Sequence, residues 1–332
     1  MSNFIKELCG TEISIFDFPT LKIGHSENLE TATGCTVLIS EQGMTASVDV
    51  RGGGPASRET TLLNSLSSAE QIHSIVLSGG SAFGLEASSG VMEFLEQKGI
   101  GFPTAYGTVP LVCQSCIYDL GVGSAHIRPD KNMGYLACEN AYQNHRWNDG
   151  NIGAGTGATV GKTASPAQMM KSGLGTYAIQ YGDLKIGAIA VVNALGDIYD
   201  IDTNEKIAGV LNPERTDFLN GEIELCKQLS KTQEENLFAN TTLGIVITNG
   251  TFRKNQLQKV ASCSHNGFAR TIRPVHTSAD GDSIYAVSTN EVEANLDLVS
   301  ILAPYVMGKA INQGVYQAKP AYGLLSAQSF LK

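Results

Sequence analysis

Apolar and polar positions fall in two rhythms along this chain. In the first third they form short runs bounded by Gly, Asp and Ser. Residues 13–18, 35–39, 46–50 and 74–77 therefore read as strands. A helical period follows, with Leu85, Val91, Met92, Phe94 and Leu95 on one side and Gly99 as the stop. Residues 109–120 are apolar with β-branched content, 135–147 look helical, and 151–162 are glycine-rich. Residues 177–181 and 185–194 flank Gly182-Asp183, a hairpin signature. The stretch 202–238 is the most polar in the chain and reads as a surface excursion or linker. Polarity then switches abruptly. A strand is predicted over 241–248, a helix over 253–272, a strand over 284–288 and a final helix over 295–317. Strands and helices are mixed in order rather than strictly alternating, which favours an α+β layered sandwich over a doubly wound parallel sheet.

Composition narrows the partners. Lys plus Arg number 23 against 32 for Asp plus Glu, a net charge of −9, and charged residues make up only 17% of the 332. An acidic balance without a Lys/Arg cluster argues against nucleic acid as the main partner. No run approaches the ~20 apolar residues of a membrane helix, and no secretory signal is visible near Met1. Seven scattered cysteines form an odd set, which suits reduced thiols and a cytoplasmic location. Glycine, at 36 residues, is in excess.

Several familiar patterns fail on spacing. The segment from Gly155 to Thr163 resembles a phosphate loop, but Thr156 stands where that motif needs its first glycine. Around Ser81, the Gly-x-Ser-x-Gly register of a nucleophile elbow fails at Phe83. A tight turn between strand and helix explains both. Cys113-x-x-Cys116 lies among apolar neighbours without a second pair, so two buried small residues on a strand are expected. The six histidines are dispersed, and no metal site or other cofactor is expected.

The junction Ala239-Asn240-Thr241-Thr242 is more informative, because a polar stretch ends there and an apolar strand begins on two hydroxyls. An Asn turn before a Thr-rich strand is the ordinary reading. The chemical reading is self-cleavage: the Thr241 hydroxyl attacks the Asn240 carbonyl, the ester hydrolyses, and Thr241 becomes an N-terminus. Its α-amine, with a reference pKa of ~7.7–8.0, can then serve as general base to its own hydroxyl.

Six ordered blocks carry a resemblance. They are Asp49-Val-Arg-Gly-Gly-Gly-Pro-Ala-Ser-Arg-Glu-Thr60, Leu77-Ser-Gly-Gly-Ser-Ala-Phe-Gly-Leu85, Gly153-Ala-Gly-Thr-Gly-Ala-Thr-Val-Gly-Lys162, Val191-Val-Asn-Ala-Leu-Gly-Asp197, Asn240-Thr-Thr-Leu-Gly244 and Ile272-Arg-Pro-Val-His-Thr-Ser-Ala-Asp-Gly-Asp282. Together they resemble the family of L-aminopeptidase/D-esterases, β-aminopeptidases and nylon-oligomer hydrolases, over nearly the whole chain. The resemblance implies a four-layer α-β-β-α sandwich of the type shared with ornithine acetyltransferases. It implies one domain, 1–332, self-cleaved into chains 1–240 and 241–332 that stay together, in a homo-oligomer expected to be a tetramer. The implied activity is hydrolysis of N-terminal amide bonds in small peptides or peptide-like amides.

Carried over by position, the resemblance makes Thr241 the nucleophile, Asn240 the residue before the cut, and Asn193, Lys162 and Tyr118 active-site residues. Asp280 and Asp282 match two positions near the nucleophile, and the aspartate pair leans toward the nylon-oligomer hydrolases. The side-chain amide of Asn193 suits an oxyanion hole, where one donor can be worth ~3 kcal/mol. Lys162 suits oxyanion stabilisation or keeping the Thr241 hydroxyl reactive. Asp280 and Asp282 would point the same way in an extended segment and could orient the new ammonium group or raise its pKa. Tyr118 is placed to donate to a substrate carbonyl, and Ser81 to line the site. Two rivals remain: an acyltransferase of the ornithine acetyltransferase type, and a non-enzymatic or nucleotide-binding protein using the 153–162 loop.

Overall fold

A computed structural model of the protein describes residues 7–8, 10–143, 146–230 and 240–330. Ten strands build its main sheet system: β1 (Thr11–Ile13), β2 (Leu21–Asn28), β3 (Thr33–Val50), β4 (Ala56–Arg58), β5 (Ile72–Ser78), β6 (Val112–Cys116), β7 (Leu174–Tyr181), β8 (Leu184–Val191), β9 (Leu243–Gly250) and β10 (Ser283–Val292). Five α-helices are described: α1 (Ala87–Gln97), α2 (Lys131–Tyr142), α3 (Gly221–Leu229), α4 (Lys254–Thr271) and α5 (Leu296–Tyr316).

The strand order is β1-β7-β8-β9-β10-β3-β5-β6-β4, with β2 also paired to β3. β3 belongs to both halves. Residues 33–40 pair with β2, residues 35–39 also pair with β5, and residues 45–50 pair with β10. Gly43, at φ +82°, lies between the two segments, where the register against β5 shifts. The parallel pairs β9–β10 and β5–β6 are each bridged by a helix, α4 and α1 respectively.

The two-residue period of the strands sorts their side chains into three buried layers. Val246 of β9 and Ile284 and Ala286 of β10 face α4 and α5, against Leu257, Val260, Val306 and Met307. Their neighbours Ile245, Ile247, Tyr285 and Val287 face the opposite way and meet Leu38, Ile75 and Leu77 of the second half. The other face of that half places Val37, Ile39 and Val76 against Val91 and Leu95 of α1 and Ala137 and Ala141 of α2. Three apolar interfaces separate four layers, so the fold is an α-β-β-α sandwich. Both faces of the central strands are covered, which explains why β9 reads as an almost unbroken apolar run.

Four expectations are corrected. The segment 13–18 is mostly a 3-10 turn, because Ser14 caps Ile15–Asp17 and the Asp17 carboxylate accepts from the Ser14 N–H in return. The two strands expected at 35–39 and 46–50 are one. The helix expected at 135–147 begins at Lys131, where Asp130 caps the Met133 N–H, and ends before Trp147, which packs on Phe16 and His25. The polar stretch 202–238 is no simple linker. Ala208, Val210 and Leu211 are fully buried, and Lys206 is ion-paired at 2.6 Å to buried Asp197. The part of that stretch at 231–238 lies outside the described residues.

Leu38 lies between the two sheets and is fully buried, whereas Leu66 is 94% exposed. Leu38→Ala is expected to lower unfolding stability in urea by about 2–5 kcal/mol, and Leu66→Ala by less than about 0.5 kcal/mol. Similar losses for the two would contradict the layer assignment.

Candidate active site

Residues 240–242 enter β9 along an extended path held by backbone bonds on two sides. The Asn240 N–H donates to the Ala279 carbonyl at 3.2 Å, and the Gly281 N–H donates to the Asn240 carbonyl at 2.8 Å. The Thr241 N–H donates to the Asn193 carbonyl at 3.2 Å. The Thr241 hydroxyl, buried to 4% exposure, donates to the carbonyl of Asn240, so that one oxygen receives both this hydroxyl and the Gly281 amide. Glycine is required at 281 by space: a Cβ there would sit 2.5 Å from Thr241 Oγ1.

Asn193 follows the β7–β8 hairpin and Lys162 follows the glycine-rich loop; both are buried. Lys162 Nζ donates to Asn193 Oδ1 at 2.6 Å, and the same oxygen accepts the Thr159 N–H at 3.1 Å. Asn193 Nδ2 donates to the Tyr118 carbonyl at 3.0 Å. One of its two N–H bonds is therefore committed to the scaffold, where the sequence suggested an amide free to act as donor. Burial pushes the Lys162 ammonium down to about 7, although Asp280 and Asp119 pull it the other way.

Asp280 and Asp282 do lie together, but they serve different partners. Asp280 Oδ2 accepts from the Thr277 N–H at 2.8 Å and the Thr277 hydroxyl at 2.7 Å. Burial, then the neighbouring Asp282 charge, raises Asp280 above the usual carboxylate range, while the Thr277 bonds and Lys162 oppose this. Asp282 Oδ1 accepts from the Thr242 N–H at 2.8 Å, and Oδ2 faces His276 Nδ1 at 2.9 Å. The Gly52–Gly54 turn closes over the pair, with the Gly54 N–H on the Asp280 carbonyl at 2.8 Å.

His276 went unnoticed in the sequence, although it sits inside one of the six blocks. It holds φ +59°, a conformation uncommon for a non-glycine residue, stacks on Phe268 and meets His265 edge to face at 4.8 Å. Asp119 was missed as well, since one carboxylate after a strand carries no spacing signal. It is buried, accepts from the Thr33 hydroxyl and the Gly80 N–H, both at 2.7 Å, and is raised by burial. Tyr118 and Asp119 join Val122, Lys162, Pro166 and Met169 around a cavity of ≈ 210 Å³. The Tyr118 side chain is 36% exposed. Ser81 does not line this cavity; its N–H donates to the Ile117 carbonyl at 2.9 Å, and only its neighbour Gly80 reaches Asp119. Among the described residues, no helix is long and apolar enough to cross a membrane.

Residues 14–324 match peptidase family S58. An uncharacterized aminopeptidase of Mycobacterium leprae (strain TN) is 37% identical over 304 residues, covering 85% of this chain and 80% of its own length. A 6-aminohexanoate-oligomer endohydrolase of Agromyces sp. (strain KY5R) is 31% identical over 295 residues, covering 86% and 77%. Among solved structures, the L-aminopeptidase D-Ala-esterase/amidase of Ochrobactrum anthropi superposes with a TM-score of 0.69 at 16% identity, over 95% of this chain and 90% of its own. A Burkholderia sp. β-aminopeptidase gives 0.65 at 16%, over 97% and 94%. The first of these structures is described as a variant of the Ntn hydrolase fold.

Burial of Lys162 has a pH signature. Its folded value of about 7 lies below the ordinary 10.5, so between those values the unfolded chain binds more protons and stability must rise with pH. The stability difference between wild type and Lys162→Met, measured by urea unfolding, is expected to be flat below pH 7 and to shift in favour of wild type up to about pH 10. A pH-independent difference would show that Lys162 keeps its ordinary proton affinity.

Proposed function

This chain belongs to peptidase family S58, whose activity is peptide-bond hydrolysis, and we propose that it is a self-processing amidase with Thr241 as its nucleophile. The observation that carries this reading is the Thr241 hydroxyl lying on the Asn240 carbonyl while the Gly281 N–H holds the same oxygen. In self-cleavage, Thr241 Oγ adds to the Asn240 carbonyl carbon, and the Gly281 amide stabilises the charge that develops on the oxygen. The C–N bond breaks, the nitrogen keeps the hydroxyl proton, and an ester joins Asn240 to Thr241 Oγ. Water hydrolyses that ester, leaving a carboxylate on Asn240 and a free amine and hydroxyl on Thr241.

The new amine inherits its position from the backbone. Its nitrogen already faces the Asn193 carbonyl, and the Thr242 amide is fixed by Asp282. With a reference pKa of ~7.7–8.0, the amine takes the Thr241 hydroxyl proton as Oγ attacks a substrate amide, and it returns that proton to the leaving amine. Water then releases the acyl group. Lys162 and the remaining N–H of Asn193 would be the donors to the substrate's oxyanion. The two fragments would stay together, because β9 and β10 lie inside the sheet, paired to β8 and β3. The names of the relatives support small peptides or peptide-like amides as substrates.

On a denaturing gel the purified protein is expected to give fragments of 240 and 92 residues, and Thr241→Ala a single intact chain. Gly281→Ala should also stay whole, because its Cβ crowds the hydroxyl. A Thr241→Ala variant that still splits would remove Thr241 from the mechanism. For the mature enzyme, kcat/KM on aminoacyl p-nitroanilides is expected to rise through about pH 7 and level off above about pH 8, as the Thr241 amine loses its proton. A profile falling over that range would exclude a neutral base.

A further inference from the structure

Cutting the chain between residues 240 and 241 would change what holds Thr241. In the intact chain, two bonds of Asn240 fix the path into residue 241: one to the Ala279 carbonyl and one from the Gly281 N–H. After the cut both belong to the end of the other fragment. Thr241 is then a chain terminus, and termini fray unless they are tied down. Its nitrogen keeps the Asn193 carbonyl, and the next tie along the chain is the Thr242 N–H on Asp282 Oδ1 at 2.8 Å. The setting of that carboxylate therefore matters more after the cut than before it.

One residue sets it. The Asp282 side chain is 2% exposed, and its Oδ2 receives two N–H groups of His276, the backbone amide at 3.2 Å and ring Nδ1 at 2.9 Å. A carboxylate oxygen accepts, so Nδ1 is the ring nitrogen that carries the hydrogen. Nε2 is buried and has no hydrogen-bond partner among the described residues, so the ring's one bonded hydrogen goes to Asp282. His276 holds φ +59°, a costly conformation for most residues and one that clusters at functional sites. Its ring lies against two residues of α4, stacked on Phe268 and edge to face with His265. His265 is anchored in turn, with Nε2 facing the Asp49 carbonyl at 3.0 Å. Burial pushes His265 well below the ordinary imidazole range, so it adds no charge beside His276. The grip on Asp282 thus passes from β3 through α4 to the imidazole.

We infer that His276 is a positioning residue of the mature enzyme: through Asp282 it clamps the Thr242 amide and so aims the freed Thr241 amine and hydroxyl at the substrate. This inference rests on the amidase reading above and deepens it by assigning the residue that orders the nucleophile once the chain is cut. The role makes two geometric demands. A donor must stand where Nδ1 stands, and the backbone must accept the left-handed region. Asparagine meets both, because its amide nitrogen can take the place of Nδ1 and it tolerates that region. Glutamine carries the same amide one carbon farther out, nearer the place of Nε2.

The test measures splitting on a denaturing gel and turnover of aminoacyl p-nitroanilides in His276→Ala, His276→Gln and His276→Asn. All three are expected to split into the two fragments. The Ala and Gln variants are expected to lose kcat by about 10- to 100-fold with KM within about threefold, the cost of a small misplacement at a reacting group. His276→Asn is expected to restore most of that kcat. Equal kcat in the Asn and Gln variants, or a splitting rate that falls as far as kcat does, would make His276 a packing residue and overturn the inference. Should His276→Ala fail to fold, the Asn and Gln pair decides by itself. A wild-type chain that stays whole, or splits without turning over any p-nitroanilide, would instead sink the amidase reading, and this inference with it. Active wild type beside an equally active His276→Ala would overturn this inference alone.

Discussion

Everything at the site depends on how the backbone of residues 240–242 is held against residues 279–283. The Asn240 amide, the Asn240 carbonyl, the Thr242 amide and the Thr242 carbonyl all bond within that segment or to its Asp282 side chain. This is the β9–β10 ladder continued past the strand ends. The parallel pairing is inside the sheet, and both faces are packed, so the path of residue 241 cannot drift without opening the core. The Thr241 hydroxyl is thereby fixed against one carbonyl oxygen by the same forces that stabilise the sandwich, and the proposed self-cleavage would need little further ordering.

The charges around that junction are arranged in the same spirit. Lys162, Asp119, Asp280 and Asp282 are all buried, and each is satisfied first by neutral partners: an asparagine, a hydroxyl or backbone amides. Lys171 follows the same rule. It is fully buried, donates to the carbonyls of Gly155, Ala158 and Ser172, and burial lowers it to about 7. That lysine pins the glycine-rich loop that delivers Lys162. The loop's likeness to a phosphate cradle is thus a likeness of composition. Its glycines make room for Asp119, Thr36 and the backbone, while its terminal lysine turns inward to Asn193.

Much of the fold was legible because long periodic segments leave little freedom. The helix at 295–317 and the strand at 241–248 match α5 and β9 to within two residues, since their apolar runs can only be buried. Short segments failed where a side chain competed with the ladder, as Ser14 does, or where a strand crossed from one sheet to the other without a break, as β3 does. The polar stretch after Asp202 misled for a related reason: a few apolar residues within it, Ala208, Val210 and Leu211 among them, are buried despite their polar neighbours.

The sequence by itself determined most of the order of elements and drew attention to the Asn240-Thr241 junction and to Asn193 and Asp282, whose backbone carbonyl and side chain respectively bond the stretch 240–242, since these follow from local pattern and ordered blocks. Tertiary structure decided what each of them touches. Only packing commits one Asn193 N–H to Tyr118, gives Asp282 to Thr242 and His276, and leaves Asp119 at a cavity wall. The physical reason is that hydrogen-bond partners and burial are set between segments far apart in the chain, where no local periodicity reaches.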